Sequence, residues 1–136
     1  MNKLSTPRKA PVPLEHDEQA QWFAWLRANH PKIEALTYAI PNQGVSGSKG
    51  RTVRYGAKRK REGLKKGVPD VFIAWPTKTH HGMYIEFKRQ KFKPSQVKPE
   101  QHEWIERLTA KGYAAVVCGG CDSAKTAVKM YLEGER

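Results

Sequence analysis

The 136-residue chain is poor in cysteine and in acidic residues, and it contains no long apolar run. Cys118 and Cys121 are its only cysteines, so no disulfide framework can substitute for a hydrophobic core, and a reducing compartment suits both thiols. No stretch approaches the roughly 20 apolar residues of a membrane-spanning helix, and none reads as a signal-peptide core. The expectation is a protein of the cytoplasm that is not secreted. Thirteen Asp and Glu stand against 25 Lys and Arg, for a formal net charge of +12. Such an excess draws polyanions and speeds encounter with them, which points to nucleic acid as the partner.

The length accommodates one domain with a real core, burying roughly two-thirds of the surface the unfolded chain would expose. Residues 1–13 hold three prolines and no apolar periodicity and read as a flexible arm, leaving 14–136 as the domain. From Glu15 to Asn29, Gln19, Trp22, Phe23 and Leu26 recur at helical spacing, and Pro31 is expected to close the helix. Leu36–Ile40, Asp70–Trp75 and Met83–Lys88 read as strands. Pro99 suits the first turn of a second helix with Gln101, Trp104, Ile105 and Leu108 inward, and Gly112 suits its end. The apolar run Tyr113–Cys118 reads as a buried strand, and Asp122 or Ser123 as the cap of a last helix. The order is α-β-β-β-α-β-α. A right-handed crossover makes the last strand parallel to the Met83 strand, giving an α/β fold with a small mixed sheet flanked by helices.

Between Arg51 and Lys66, eight of sixteen residues are Lys or Arg, so the segment must face solvent. It suits phosphate contact through Arg51, Arg54, Lys58, Arg59, Arg61 and Lys65, because each neutralised phosphate releases counterions. Tyr55 would stack on a base or pack on the sheet. On the strand Met83–Lys88 successive side chains alternate, so Glu86 and Lys88 share one face. Asp70 opens the preceding strand, and a hairpin brings the three together. Two carboxylates beside an amine can grip a divalent cation for phosphodiester hydrolysis; the other reading is an ion pair on an exposed sheet face, worth at most about 1 kcal/mol. Cys118 and Cys121 have metal-ligand spacing but no second pair, which speaks against zinc.

Four segments in order, Ala39-Ile40-Pro41-Asn42, Gly63 through Asp70, Tyr84-Ile85-Glu86-Phe87-Lys88 and Pro99 through Trp104, resemble the VRR-NUC (virus-type replication-repair nuclease) domain, a family of the PD-(D/E)XK superfamily with the restriction-endonuclease-like fold. The resemblance spans about Glu15 to Leu132 and is to the compact, stand-alone phage or bacterial type, which would place the protein in a bacterial or phage-infected host cell. It implies a structure-specific DNA endonuclease dependent on Mg²⁺ or Mn²⁺, acting on branched DNA such as four-way (Holliday) junctions. It further implies that Asp70, Glu86 and the backbone carbonyl of Phe87 hold metal, that Lys88 is the catalytic amine, and that Gln101 is the family's helix glutamine. Asn42 falls in the first of the matched motifs and joins the nucleic-acid contacts. The helix acid precedes a glutamine by four positions, which selects Glu15 with Gln19, although Glu18 is close by. A four-way junction has approximate two-fold symmetry, so a homodimer is expected. The competing reading is a non-catalytic basic nucleic-acid-binding module.

Overall fold

The computed structural model describes residues 11–41 and 61–134. Asn42, Arg51, Arg54, Tyr55, Lys58 and Arg59, and most of the expected N-terminal arm, lie outside the described residues. Within them, a four-stranded sheet runs in the order β1 (Thr37–Ala39), β2 (Val71–Ile73), β3 (Met83–Lys88) and β4 (Ala114–Gly119). β1 and β2 pair antiparallel, as do β2 and β3, whereas β3 and β4 are parallel. The connection from β3 to β4 runs through a 3₁₀ turn at Pro94–Gln96 and the helix α3 (Pro99–Ala110), as a parallel pair requires.

Strand alternation decides which helices cover which face. Met83, Ile85 and Phe87 point into the main core with Val71 and Ile73, where Trp22 and Leu26 of α1 (Glu15–Asn29) meet Ala124 and Val128 of α4 (Cys121–Glu133). Trp22 packs edge-on against Phe87 at 5.5 Å. The opposite face carries Tyr84, Glu86 and Lys88, and there α3 packs on β4 and reaches Glu86 through Gln101. Helices thus lie on both faces of the sheet, α3 over its β4 side.

Four local expectations are corrected. β4 is not a buried strand: Cys118 is buried and its other residues are half-buried. Pro31 does not simply end α1: it opens a short second helix, α2 (Pro31–Glu34), since its missing N–H and fixed φ suit the first helical position. The last helix begins at Cys121, and neither Asp122 nor Ser123 caps it. Gly120 occupies the cap with φ +94°, and the Cys121 N–H is instead taken by the carboxylate of Glu18 on α1. Trp104 lies half-buried on α3, which buries none of its residues fully, and its indole N–H donates to the Lys66 carbonyl at 3.0 Å. At the start of the described chain, Arg89 holds the carbonyls of Val12 and Pro13.

Candidate active site

The segment Gly67-Val68-Pro69-Asp70 is pinned before it enters β2. Lys66 pairs with Glu100 of α3 at 3.0 Å, and its carbonyl receives the Trp104 indole. Gly67 adopts φ +88° so close to α3 that a Cβ there would meet the Glu100 backbone at 2.8 Å. Only glycine serves both demands. Asp70 is thereby held at the mouth of the β2–β3 hairpin.

The hairpin register pairs Val71 with Ile85, so one further step sets Asp70 opposite Glu86 and Pro69 opposite Phe87. Pro69 has no N–H to donate, so β2 cannot claim the Phe87 carbonyl. The Phe87 N–H is taken by the Asp70 carboxylate, with N to Oδ2 at 2.7 Å. N–H and C=O of one residue face the same neighbour in an antiparallel ladder, so the Phe87 carbonyl also leaves β3 on the Asp70 side. A proline that looks like a mere strand breaker in sequence thus frees one oxygen from β2 and, by leaving the ladder, lets a carboxylate take the adjacent N–H.

Glu86 is 3 % exposed and Lys88 8 %. Glu86 Oε1 accepts from Gln101 Nε2 at 2.8 Å and lies 3.7 Å from the Lys88 ammonium. The Gln101 amide is fixed in orientation, because its oxygen accepts the Lys98 N–H at 2.9 Å and leaves the NH₂ for Glu86. The other carboxyl oxygen, Glu86 Oε2, is buried without a hydrogen-bond partner among the described residues. Burial, then the neighbouring Asp70 charge, pushes the Glu86 carboxyl up to about 8 against the opposing pull of Lys88. Burial raises Asp70 as well; the Phe87 N–H works against it and Glu15 adds to it.

Of the two candidate acids on α1, Glu15 and Glu18, Glu15 is the one whose charge bears on both carboxyls. It is exposed in the first turn of the helix. Glu18 is 2 % exposed and fully engaged, accepting from Gln90 Nε2 at 2.8 Å and from the Cys121 N–H, where the positive end of α4 favours a carboxylate. This structural role carried no local sequence mark: residues 18 and 121 are partners only through the fold. Arg61 and Lys65 are exposed on the approach to Gly67. Cys118 and Cys121 are buried, and burial pushes the Cys118 thiol up to about 11, so it stays protonated.

Among the described residues, no three of His, Cys, Asp and Glu are gathered into a ready-made metal cage. The Asp70–Glu86 pair itself fits a hard divalent cation. The two carboxyls act on each other, and Glu86 Oε2 is buried without a donor among the described residues, which suits a hard ion that keeps several solvent ligands.

The VRR-NUC domain model matches residues 17–122. A solved structure described as a VRR_NUC domain protein superimposes with a TM-score of 0.74 at 28 % sequence identity, covering 90 % of this chain and 91 % of its own. No curated protein matches the chain. With the family model spanning most of its length and the sheet and helices shared with that structure, the chain belongs to the VRR-NUC domain family and has its nuclease-type fold.

Proposed function

We propose that the protein is a divalent-metal-dependent, structure-specific DNA endonuclease that hydrolyses phosphodiester bonds, acting on branched DNA such as four-way junctions. The observation that carries this reading is the state of Glu86: a buried carboxyl beside a second carboxyl, with one oxygen unpartnered among the described residues and its proton held up to about 8. A pair of acids that disfavour each other's ionisation is costly in a merely structural site and is relieved by a cation.

Asp70, Glu86 and the Phe87 carbonyl would hold Mg²⁺ or Mn²⁺, and Glu15, whose charge bears on both carboxyls, would hold a second ion or a metal-bound water. When bound, such an ion would supply charge neutralisation at phosphorus and a more acidic attacking water. Gln101 holds Glu86 in one rotamer, so the carboxylate is oriented before a phosphate arrives. Lys88, anchored by Glu86, presents its ammonium to the same space and either orients the water or stabilises the phosphate. Arg61, Lys65, the basic residues 51–59 and Asn42 are the proposed contacts to the DNA backbone, the cations acting by charge. Opposed nicks in a two-fold substrate call for two such sites, hence a homodimer. Among the described residues no helix is long and apolar enough to cross a membrane, and the site of action proposed is the cytoplasm of a bacterial or phage-infected cell.

Incubating purified protein with labelled four-way junction, flap, single-stranded and linear duplex DNA, in Mg²⁺, Mn²⁺ or chelator, tests this reading. Metal-dependent cleavage strongest on branched substrates supports it. Binding to all four DNAs without strand scission in any metal would show a binding module instead.

A further inference from the structure

Alternation turns Tyr38, Phe72 and Tyr84 to the sheet face that carries Glu86 and Lys88. The register sets Tyr38 opposite Phe72 and Phe72 opposite Tyr84, so the three rings form one row across β1, β2 and β3. Phe72 and Tyr84 stack with centroids 4.4 Å apart and planes 29° apart, and Tyr38 meets Phe72 edge-on at 5.8 Å. Tyr113 closes the row 5.6 Å from Tyr84. Gly82 makes room for this arrangement: a Cβ there would come within 2.8 Å of the Phe72 ring. The acids occupy the adjacent row, two residues along β3, about 7 Å away at the strand's rise.

Cross-strand packing explains the stacked Phe72–Tyr84 pair. It leaves Tyr38 54 % exposed at the end of the row, with Phe72 and Tyr84 only half-buried, whereas the other face of the same strands is closed over by α1 and α4. Two observations select the occupant. The row lies on the face, and one step along the strands, from the groups proposed to cut a phosphodiester. The chain's +12 net charge favours a polyanion over an apolar protein surface.

We infer that Tyr38, Phe72 and Tyr84 form a stacking platform for unpaired bases of the DNA whose backbone enters the Asp70–Glu86–Lys88 site. Aromatic rings stack on any base face and so tolerate sequence, but a base paired inside a duplex offers no free face. The platform therefore selects substrates with a single-stranded arm or splayed bases at a branch, with the basic residues tracking the backbone. The inference rests on the nuclease reading for the direction of the strand, and it adds what that reading lacks: a group that distinguishes unpaired from paired DNA.

The test measures binding in chelator, where no cleavage intervenes, to a single-stranded oligonucleotide carrying 2-aminopurine, to its duplex, and to a fork with the fluorophore in the single-stranded arm. Wild-type protein should quench the fluorophore in the single strand and the fork arm. Tyr38→Ala should weaken single-strand binding roughly fivefold or more while leaving duplex binding within about twofold. Tyr38→Leu, which keeps apolar bulk without a ring, should behave as the alanine variant does, and thermal melts of both should match wild type. Equal losses on single strand and duplex, or none on either, would overturn the platform. So would a change in the sedimenting mass of the free protein with single-strand affinity intact, which would mark the row as a contact between copies. Parallel cleavage assays in Mg²⁺ separate the two ideas: cutting by wild type without a single-strand defect in the variants sinks the platform alone, and quenching without cutting sinks the nuclease reading alone.

Discussion

Gln101 Nε2 donates to Glu86 Oε1 at 2.8 Å, joining the first turn of α3 to the centre of β3. The bond is one half of a relay, because the Lys98 N–H fixes the glutamine oxygen and so leaves its amide no alternative orientation.

Removing this relay should loosen the site without unfolding the domain. Gln101→Ala is expected to raise the Mg²⁺ concentration needed for half-maximal cleavage by about 10- to 100-fold, the usual cost of losing a partner behind a metal ligand. Its melting temperature should stay near that of wild type, since Gln101 is half-buried at a helix start. A metal titration of cleavage rate, with a thermal melt alongside, reads both.

The acids on α1 should separate cleanly. Glu18→Ala strips a buried carboxylate from the Cys121 N–H and the Gln90 amide, which should cost about 2–3 kcal/mol and lower Tm on the order of 5–10 °C. Glu15→Ala, at an exposed position, should leave Tm nearly unchanged while lowering cleavage. If Glu15→Ala cleaves at the wild-type rate across the metal titration, Glu15 has no part in the site.

Stability in chelator should depend on pH with a definite sign. The unfolded Glu86 carboxyl ionises near 4.5, whereas the folded one keeps its proton up to about 8. Between those values the folded state binds more protons, so stability falls as pH rises through the window, by up to about 1.4 kcal/mol per pH unit, and levels off above it. Asp70, also raised, pushes in the same direction. Adding Mg²⁺ should recover the loss at pH 8 more than at pH 5, and Glu86→Gln should flatten the chelator profile. Melts from pH 4.5 to 9 measure this.

Gly67→Ala should harm both stability and activity. The added methyl meets the Glu100 backbone at 2.8 Å on a residue with φ +88°, a strain of about 2 kcal/mol or more. Relief requires the segment leading to Asp70 to move, so cleavage at saturating DNA should drop further than the melting temperature alone would explain.

The sequence showed α1 and β3 with their observed bounds, because Trp22 and Leu26 at helical spacing ahead of Pro31, and the strict apolar alternation of β3, each mark their element. It also showed the parallel pairing of β3 with β4, which the crossover enforces. The grouping of Asp70, Glu86 and Lys88 followed from strand periodicity, and that of Gln101 from family resemblance. Three features stayed hidden. The start of α4 depends on Glu18, 103 positions away. What turns the Phe87 carbonyl, named only through the family resemblance, toward Asp70 is a register that sets it opposite Pro69, and register is a property of two strands together. The aromatic row joins residues from three strands, none conspicuous within its own segment.

The most direct measurement is calorimetric titration of Mn²⁺ into wild type, Asp70→Asn and Glu86→Gln, with cleavage of a labelled branched DNA recorded on the same preparations. Wild type should bind the ion and cut, and each variant should lose both while still binding DNA in chelator. Undiminished Mn²⁺ binding and cleavage in both variants would contradict this.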